Sequence, residues 1–288
     1  QVPSVVSSSP EIVMAMLLEH THSIHIGSGG VMLPHYSAYK VAEQFKIMEV
    51  KHPGRIDMGI GRSPSFKNVN EALNEFKTQK PELSQQVDDL NKYFTNDTIH
   101  SHRFKTLEAT PYTEHSPEVF ILGMSEQSAE LAAKKGLPFV IAHMGQSHAN
   151  LTHVIQHYKS RFTEYHGHSH SPYIILATFV VTAENELTIK QLLDALNLWL
   201  IRINYLKQPK VYPSIETAQQ RHYSERDQEK IEKNKRRMIS GLPHEVAQQL
   251  IQLQNEFEVD EIMILPNVYG HTHRTKLIEL IAHACLDN

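Results

Sequence analysis

Arg62 stands directly after the glycines of "GIGRSP", and Ser125 and Ser128 stand three residues apart in "LGMSEQSAE"; both groups close short apolar runs. A guanidinium can make charge-assisted, bidentate contacts to a phosphate. Two hydroxyls on the first turn of a helix add donors beside backbone N–H groups that lack intrahelical partners. One arginine, two hydroxyls and a helix start suit a single phosphate monoester. Each piece also has a plainer reading. Ser125 is a good N-cap whatever binds there, Arg62 can pair with a carboxylate on a surface loop, and Gly61 can simply make a turn. Convergence favours a site, because both groups fall at the carboxyl ends of strands, where parallel α/β folds face their ligands. A third strand end carries Gly29-Gly30 in "HIGSGGVMLPHYSAYKVAEQF". Glycine weakens a strand and packs nothing, but two together leave bare backbone on which a flat ring can lie.

The elements that must hold these residues alternate. Strand patterns run over 23–33, 55–61, 118–123, 138–142, 172–181 and 259–265. Between them, the spacing predicts helices over 10–19, 37–50, 72–94, 125–136, 149–165, 186–206, 240–257 and 274–285, the 37–50 segment presenting Val41, Phe45 and Met48 on one stripe. "SEQSAELAAKKG" has Ser at its start, acids early, lysines late and a terminal Gly, the start and stop signals of a helix. Strand–helix alternation implies right-handed βαβ units and a parallel sheet covered on both faces. Six strands fit an open doubly wound sheet, or the last six of an eight-stranded barrel whose first two lie upstream of Gln1. Between 207 and 239 the pattern lapses into the densely charged "RHYSERDQEKIEKNKRR", which reads as a solvated helix or an excursion, with a lid over a site as the alternative.

Bulk properties narrow the classes. A net charge of −4 gives no electrostatic case for nucleic acid or an acidic membrane, and the N-terminal apolar run is too short and interrupted to span a bilayer. One cysteine, Cys285, excludes an intrachain disulfide and a thiolate zinc site, which suits a reducing cytoplasm. The three alternating histidines of "YHGHSHSP" (165–172) read as a polar surface loop able to chelate a stray metal. No HExxH spacing supports a catalytic metal. No GxGxxG fingerprint marks a resident NAD(P)H site.

Taken together, "IHIGSGGVMLP", "KVAEQF", "HPGRIDMGIGRSP", "LGMSEQSAELAAKKGLPFVIAH" and "GLPHEVAQQLIQLQNEFEVDEIMIL" resemble, in order, motifs of the bacterial luciferase-like flavin monooxygenase family, nearest its alkanal-monooxygenase-like branch. The resemblance implies a single α/β domain over 1–288, an eight-stranded TIM barrel holding FMN at its C-terminal end. It places Gly29-Gly30, joined by a non-prolyl cis peptide, beneath the isoalloxazine. Arg62, Ser125 and Ser128 then hold the phosphate, Met124 precedes them, and His143 lies near the ring. It further implies a two-component monooxygenase. A separate flavin reductase would supply reduced FMN, and O₂ and a small organic molecule would be the substrates. A homodimer through the helices at 10–19 and 37–50 is expected too. In luciferase a cysteine precedes the phosphate arginine; here Gly61 stands there, so no thiol chemistry is expected. The family's first strand, helix and strand, with a histidine near the flavin, would lie upstream of Gln1, and an N-terminally incomplete chain is the expectation. Two alternatives stay open: a deazaflavin-dependent oxidoreductase of the same fold, and a non-catalytic flavin-binding relative.

Overall fold

A computed structural model of the chain describes residues 4–5, 7–99, 102–143, 146–203 and 209–286. They group into two compact units, the first made mainly of Ser7–Phe139 with Ser160–Pro172, the second of Val140–Lys159 with Tyr173–Asn288.

In the first unit, α1 (Pro10–Glu19) precedes β1 (Ile26–Met32), a 3₁₀ turn (Leu33–His35) and α2 (Ala38–Lys51). Then come β2 (Ile56–Gly61), α3 (Lys67–Leu73), α4 (Leu83–Thr95), β3 (Glu118–Gly123) and α5 (Glu126–Lys135). The strands are parallel, β1 on β2 and β2 on β3, so their carboxyl ends lie on one side. The β1–β2 register shifts between Gly29 and Val31. Val41, Phe45 and Met48 are buried on α2, as a 3–4 residue spacing requires. Phe45 is fully buried, worth about 1.5–3 kcal/mol of transfer free energy. Lys46 on the same helix is also fully buried. Its ammonium donates to the carbonyls of Tyr93 (3.2 Å) and Ala109 (2.7 Å) and to Asn96 Oδ1 (2.7 Å), which ties α2 to the end of α4 and the loop beyond.

β4 (Phe139–Ala142) leads through α6 (His148–His166) to the second unit's main strand, β5 (Ile174–Val181). Every residue of β5 is buried, the mark of a strand covered on both faces. α7 (Glu186–Arg202), α8 (Ile215–Gln219), α9 (Glu225–Lys235), β6 (Met238–Ser240), α10 (Pro243–Phe257), β7 (Glu261–Leu265) and α11 (His271–Leu286) follow. β5 pairs in parallel with both β6 and β7. Val180, Val181, Leu192, Leu196, Val246 and Leu277 make the centre of this unit's core.

Three expectations need correction. The helix expected over 72–94 starts only at Leu83, as α4, while α3 has already ended at Leu73; Pro81 has no N–H to donate and disfavours helical geometry just before it, so no helix runs through it. Seven strands occur among the described residues instead of six. The addition is β6, whose three residues are too few to show a period and follow Arg236-Arg237. The charged stretch needs no such correction: it holds α8 and α9, in line with its reading as a solvated helix, the second capped by Ser224, which accepts from the Asp227 N–H. The expected helix over 186–206 ends at Arg202, and 204–208 lie outside the described residues. Among the described residues no helix is long and apolar enough to cross a membrane.

Candidate functional site

The end of β3 and the start of α5 form one corner of the first unit. Ser125 is the N-cap of α5 and accepts from the Ser128 N–H (3.4 Å), so the capping reading holds. The two hydroxyls lie 3.3 Å apart, and Ser128 is buried. Gly123 makes this seating possible: a Cβ there would lie 2.5 Å from Ser128 Oγ and collide with Ser128 Cβ. Met124, between strand and helix, is half-exposed.

Arg62 reaches this corner from the end of β2. Its Nη2 donates to Ser125 Oγ (2.8 Å) and its Nη1 to Gln127 Oε1 (2.9 Å). Both acceptors are neutral. Among the described residues no carboxylate forms an ion pair with Arg62, so the surface-pair reading fails. Glu126, on the same turn, is exposed. A guanidinium that is exposed and, among the described residues, bonded to neutral acceptors, together with two hydroxyls and a helix start, makes a donor set suited to an oxyanion. These residues fit a phosphate monoester.

The glycine pair behaves as two different positions. The Gly29–Gly30 peptide is cis. A Cβ on Gly30 would meet the Gly59 carbonyl at 2.5 Å and collide with Leu122, whereas a Cβ on Gly29 would meet nothing within 4 Å. What crowds Gly30 is therefore the neighbouring strand and β3. Gly29 has an open face, and that face can take a planar group. Gly29, Gly30, Arg62, Met124, Ser125 and Ser128 all belong to the first unit.

His143 belongs to the second unit. Its backbone N–H donates to the Ala177 carbonyl (2.8 Å), and its Nδ1 is hydrogen-bonded with Thr178 Oγ1 (3.0 Å), Thr178 being fully buried. Burial pulls the imidazole pKa below its ordinary value, the Glu256 carboxylate opposing and His148 adding to the shift. Among the described residues no group of three or more His, Cys, Asp and Glu is placed to hold a metal.

Two residues escaped the sequence reading. Gln127 sits inside the quoted "SEQS", and its position on the first turn, beside two hydroxyls, was the available signal. His35 had none: it follows Pro34 in a turn, and its partners Ser63 and Asn74 are 28 and 39 residues away.

A parallel β/α chain with an oxyanion-suited corner at its strand ends is an arrangement that many α/β proteins share, and comparison narrows it. A family model described as luciferase-like monooxygenase matches residues 1–257. The chain belongs to the luciferase-like monooxygenase family, whose fold is the TIM barrel. It is 33% identical to the uncharacterized protein YceB of Bacillus subtilis (strain 168) over 282 residues, 97% of this chain and 84% of that one. It is 39% identical over 141 residues to the N-acetyl-S-alkylcysteine monooxygenase of the same organism, 48% of this chain and 42% of that one. Among solved structures, apo-MsnO8 superposes with a TM-score of 0.81 at 26% identity, covering 96% of this chain and 82% of the other. Two further structures share the fold at low identity. One is the oxygenating constituent of 3,6-diketocamphane monooxygenase from a Pseudomonas putida plasmid in complex with FMN (TM-score 0.65, 14%, covering 98% and 85%). The other is an F420-dependent secondary alcohol dehydrogenase in complex with an F420-acetone adduct (0.69, 15%, covering 99% and 87%).

Proposed function

We propose that this chain is an FMN-dependent monooxygenase of the two-component kind, using reduced FMN supplied by a separate reductase, O₂ and a small organic substrate. The observation that carries the reading is the Arg62–Ser125–Gln127–Ser128 corner on the same unit as the open face of Gly29. The corner offers one uncompensated positive charge and hydroxyl and N–H donors to a terminal phosphate. The bare backbone at Gly29 offers a surface for the ring. When bound, reduced flavin supplies the two electrons that activate O₂; the protein's share is binding, orientation and exclusion of water. On the family resemblance, His143 is proposed as a proton-exchanging residue. Thr178 engages its Nδ1, leaving Nε2 as the nitrogen for exchange. We also propose one barrel domain over 1–288 that works in the cytoplasm as a homodimer. Ile12, Met16 and Leu17 on α1 and Ile47 and Val50 on α2 are exposed apolar side chains on the two helices expected at the interface, which supports the dimer.

The test is flavin titration by fluorescence quenching with the purified chain. FMN is expected to bind tightly and Arg62→Ala to weaken it by roughly 10- to 100-fold, in keeping with loss of a charge-assisted contact. No saturable quenching contradicts the reading. A solved neighbour is F420-dependent, so a parallel titration with deazaflavin is needed. Tighter deazaflavin binding than FMN binding would favour the hydride-transfer alternative. Aerobic turnover of reduced FMN with alkanals and N-acetyl-S-alkylcysteines, the latter suggested by the Bacillus relative's name, would then address the substrate.

A further inference from the structure

We propose that His35 is a positioning residue for the phosphate corner: its imidazole pins the Arg62–Ser63 segment after β2 to the 3₁₀ turn that follows β1. The proposal rests on the FMN reading above and deepens it.

His35 is 5% exposed, and each ring nitrogen has one partner. Asn74 Nδ2 lies 3.0 Å from Nδ1, and Nε2 lies 3.2 Å from the Ser63 carbonyl oxygen. An amide nitrogen can only donate, so Nδ1 accepts and the proton resides on Nε2, which donates to Ser63. The amide orientation is fixed independently. Asn74 Nδ2 also lies 2.7 Å from the Asn70 carbonyl oxygen, where a reversed amide would set two acceptors against each other. The turn that carries His35 is itself clamped. Gln86 Nε2 donates to the carbonyls of Leu33 (3.2 Å) and Tyr36 (3.1 Å), and Lys77 Nζ to that of Pro34 (3.4 Å).

By contrast Arg62, Ser63 and Pro64 are exposed, and Ser65 takes a left-handed φ of 64°. A long guanidinium side chain reaches Ser125 and Gln127 only if its backbone is held, and Ser63 is the adjacent residue. The buried imidazole thus connects the Asn70–Asn74 segment, through Ser63, to the one cation of the corner. A residue that merely fills the core would not require both nitrogens in this order.

The experiment measures affinity for FMN and for riboflavin, which has the same ring without the phosphate, on the full chain. The variants are His35→Phe, which keeps the ring volume and deletes both hydrogen bonds, His35→Gln, and Asn74→Ala, a partly exposed site outside the core. His35→Phe is expected to weaken FMN about tenfold, the scale of one or two buried hydrogen bonds, with riboflavin within about twofold of wild type. His35→Gln, which retains a donor and an acceptor, recovers part of the loss, and Asn74→Ala moves the ratio in the same direction. A general structural role would weaken both flavins together, and that result overturns the proposal, as does an unchanged ratio in His35→Phe. Should His35→Phe not fold, an unchanged ratio in Asn74→Ala overturns it. Wild-type protein that fails to prefer FMN over riboflavin sinks the cofactor reading and this proposal with it. Wild-type preference retained in the variants sinks this proposal alone.

Discussion

Gly29 and Gly30 are adjacent, yet a methyl group added to each has opposite consequences. Gly30→Ala drives a Cβ into the Gly59 carbonyl and Leu122. Overpacking of this kind costs about 1–3 kcal/mol, so a melting temperature several degrees lower is expected. Gly29→Ala meets open space within the protein; its melting temperature is expected near wild type, while FMN and riboflavin are weakened alike because the methyl occupies the ring's surface. Thermal melts read beside flavin titrations check the pair. His35 and His143 make a second prediction. Burial holds both His35 and His143 below the ordinary imidazole value of 6.5; the Lys77 and Lys80 charges act in the same direction on His35, against its hydrogen bond to Ser63. As pH falls through 6.5 the unfolded chain takes up protons that the native state refuses. Stability is therefore whole above that pH and is lost progressively below it, toward the depressed native values. Urea midpoints followed from pH 7.5 to 5 should fall, and less steeply in His143→Gln; a flat profile contradicts this. Arg62, Ser125 and Ser128 were readable in the sequence because a strand end followed at once by cap and helix signals is a local pattern. His35 was not, because what distinguishes it is a pair of partners distant in sequence.

Elements set the corner's geometry through their junctions. α5 starts directly over the end of β3 because Gly123 lets Ser128 approach. Gly123→Ala is expected to displace that first turn and weaken FMN by about tenfold, with a smaller effect on riboflavin, since the loss falls on the phosphate donors. Equal weakening of both would contradict it. The helices at 10–19 and 37–50 and the capped helix after Ser125 were legible because each carries a clear period and end signals. The 72–94 stretch was misread as one helix because Leu73, Phe76, Leu83, Val87 and Leu90 keep an apolar rhythm that Pro81 interrupts; Phe76 turns out to be almost fully exposed, while Val87 and Leu90 are buried. β6 escaped for the opposite reason. Three residues whose identity as a strand comes wholly from pairing with β5 carry no local signal.

At the scale of the whole molecule, the exposed apolar residues of α1 and α2 predict self-association. A Met16→Glu/Ile47→Glu double variant should shift the chain from dimer to monomer in sedimentation equilibrium while leaving its helical content intact. Two charges placed in an apolar interface core are costly to desolvate. A wild-type chain that sediments as a monomer at all concentrations contradicts the dimer. The fold class was legible from alternation alone only as far as a parallel α/β chain; the barrel came from the ordered set of motifs, which the family match over 1–257 bears out. The substrate was not legible, since no motif fixes the residues of 63–72 or 207–239.

The central claim is that a phosphate-tailed planar cofactor binds with its tail at Arg62, Ser125 and Ser128 and its ring over Gly29. A crystal structure of the chain with FMN tests it most directly. Phosphate oxygens are expected within hydrogen-bond distance of those three side chains, with the isoalloxazine against the Gly29 backbone. FMN bound elsewhere, or with its phosphate in solvent and Arg62 still bonded only to Ser125 and Gln127, would contradict it.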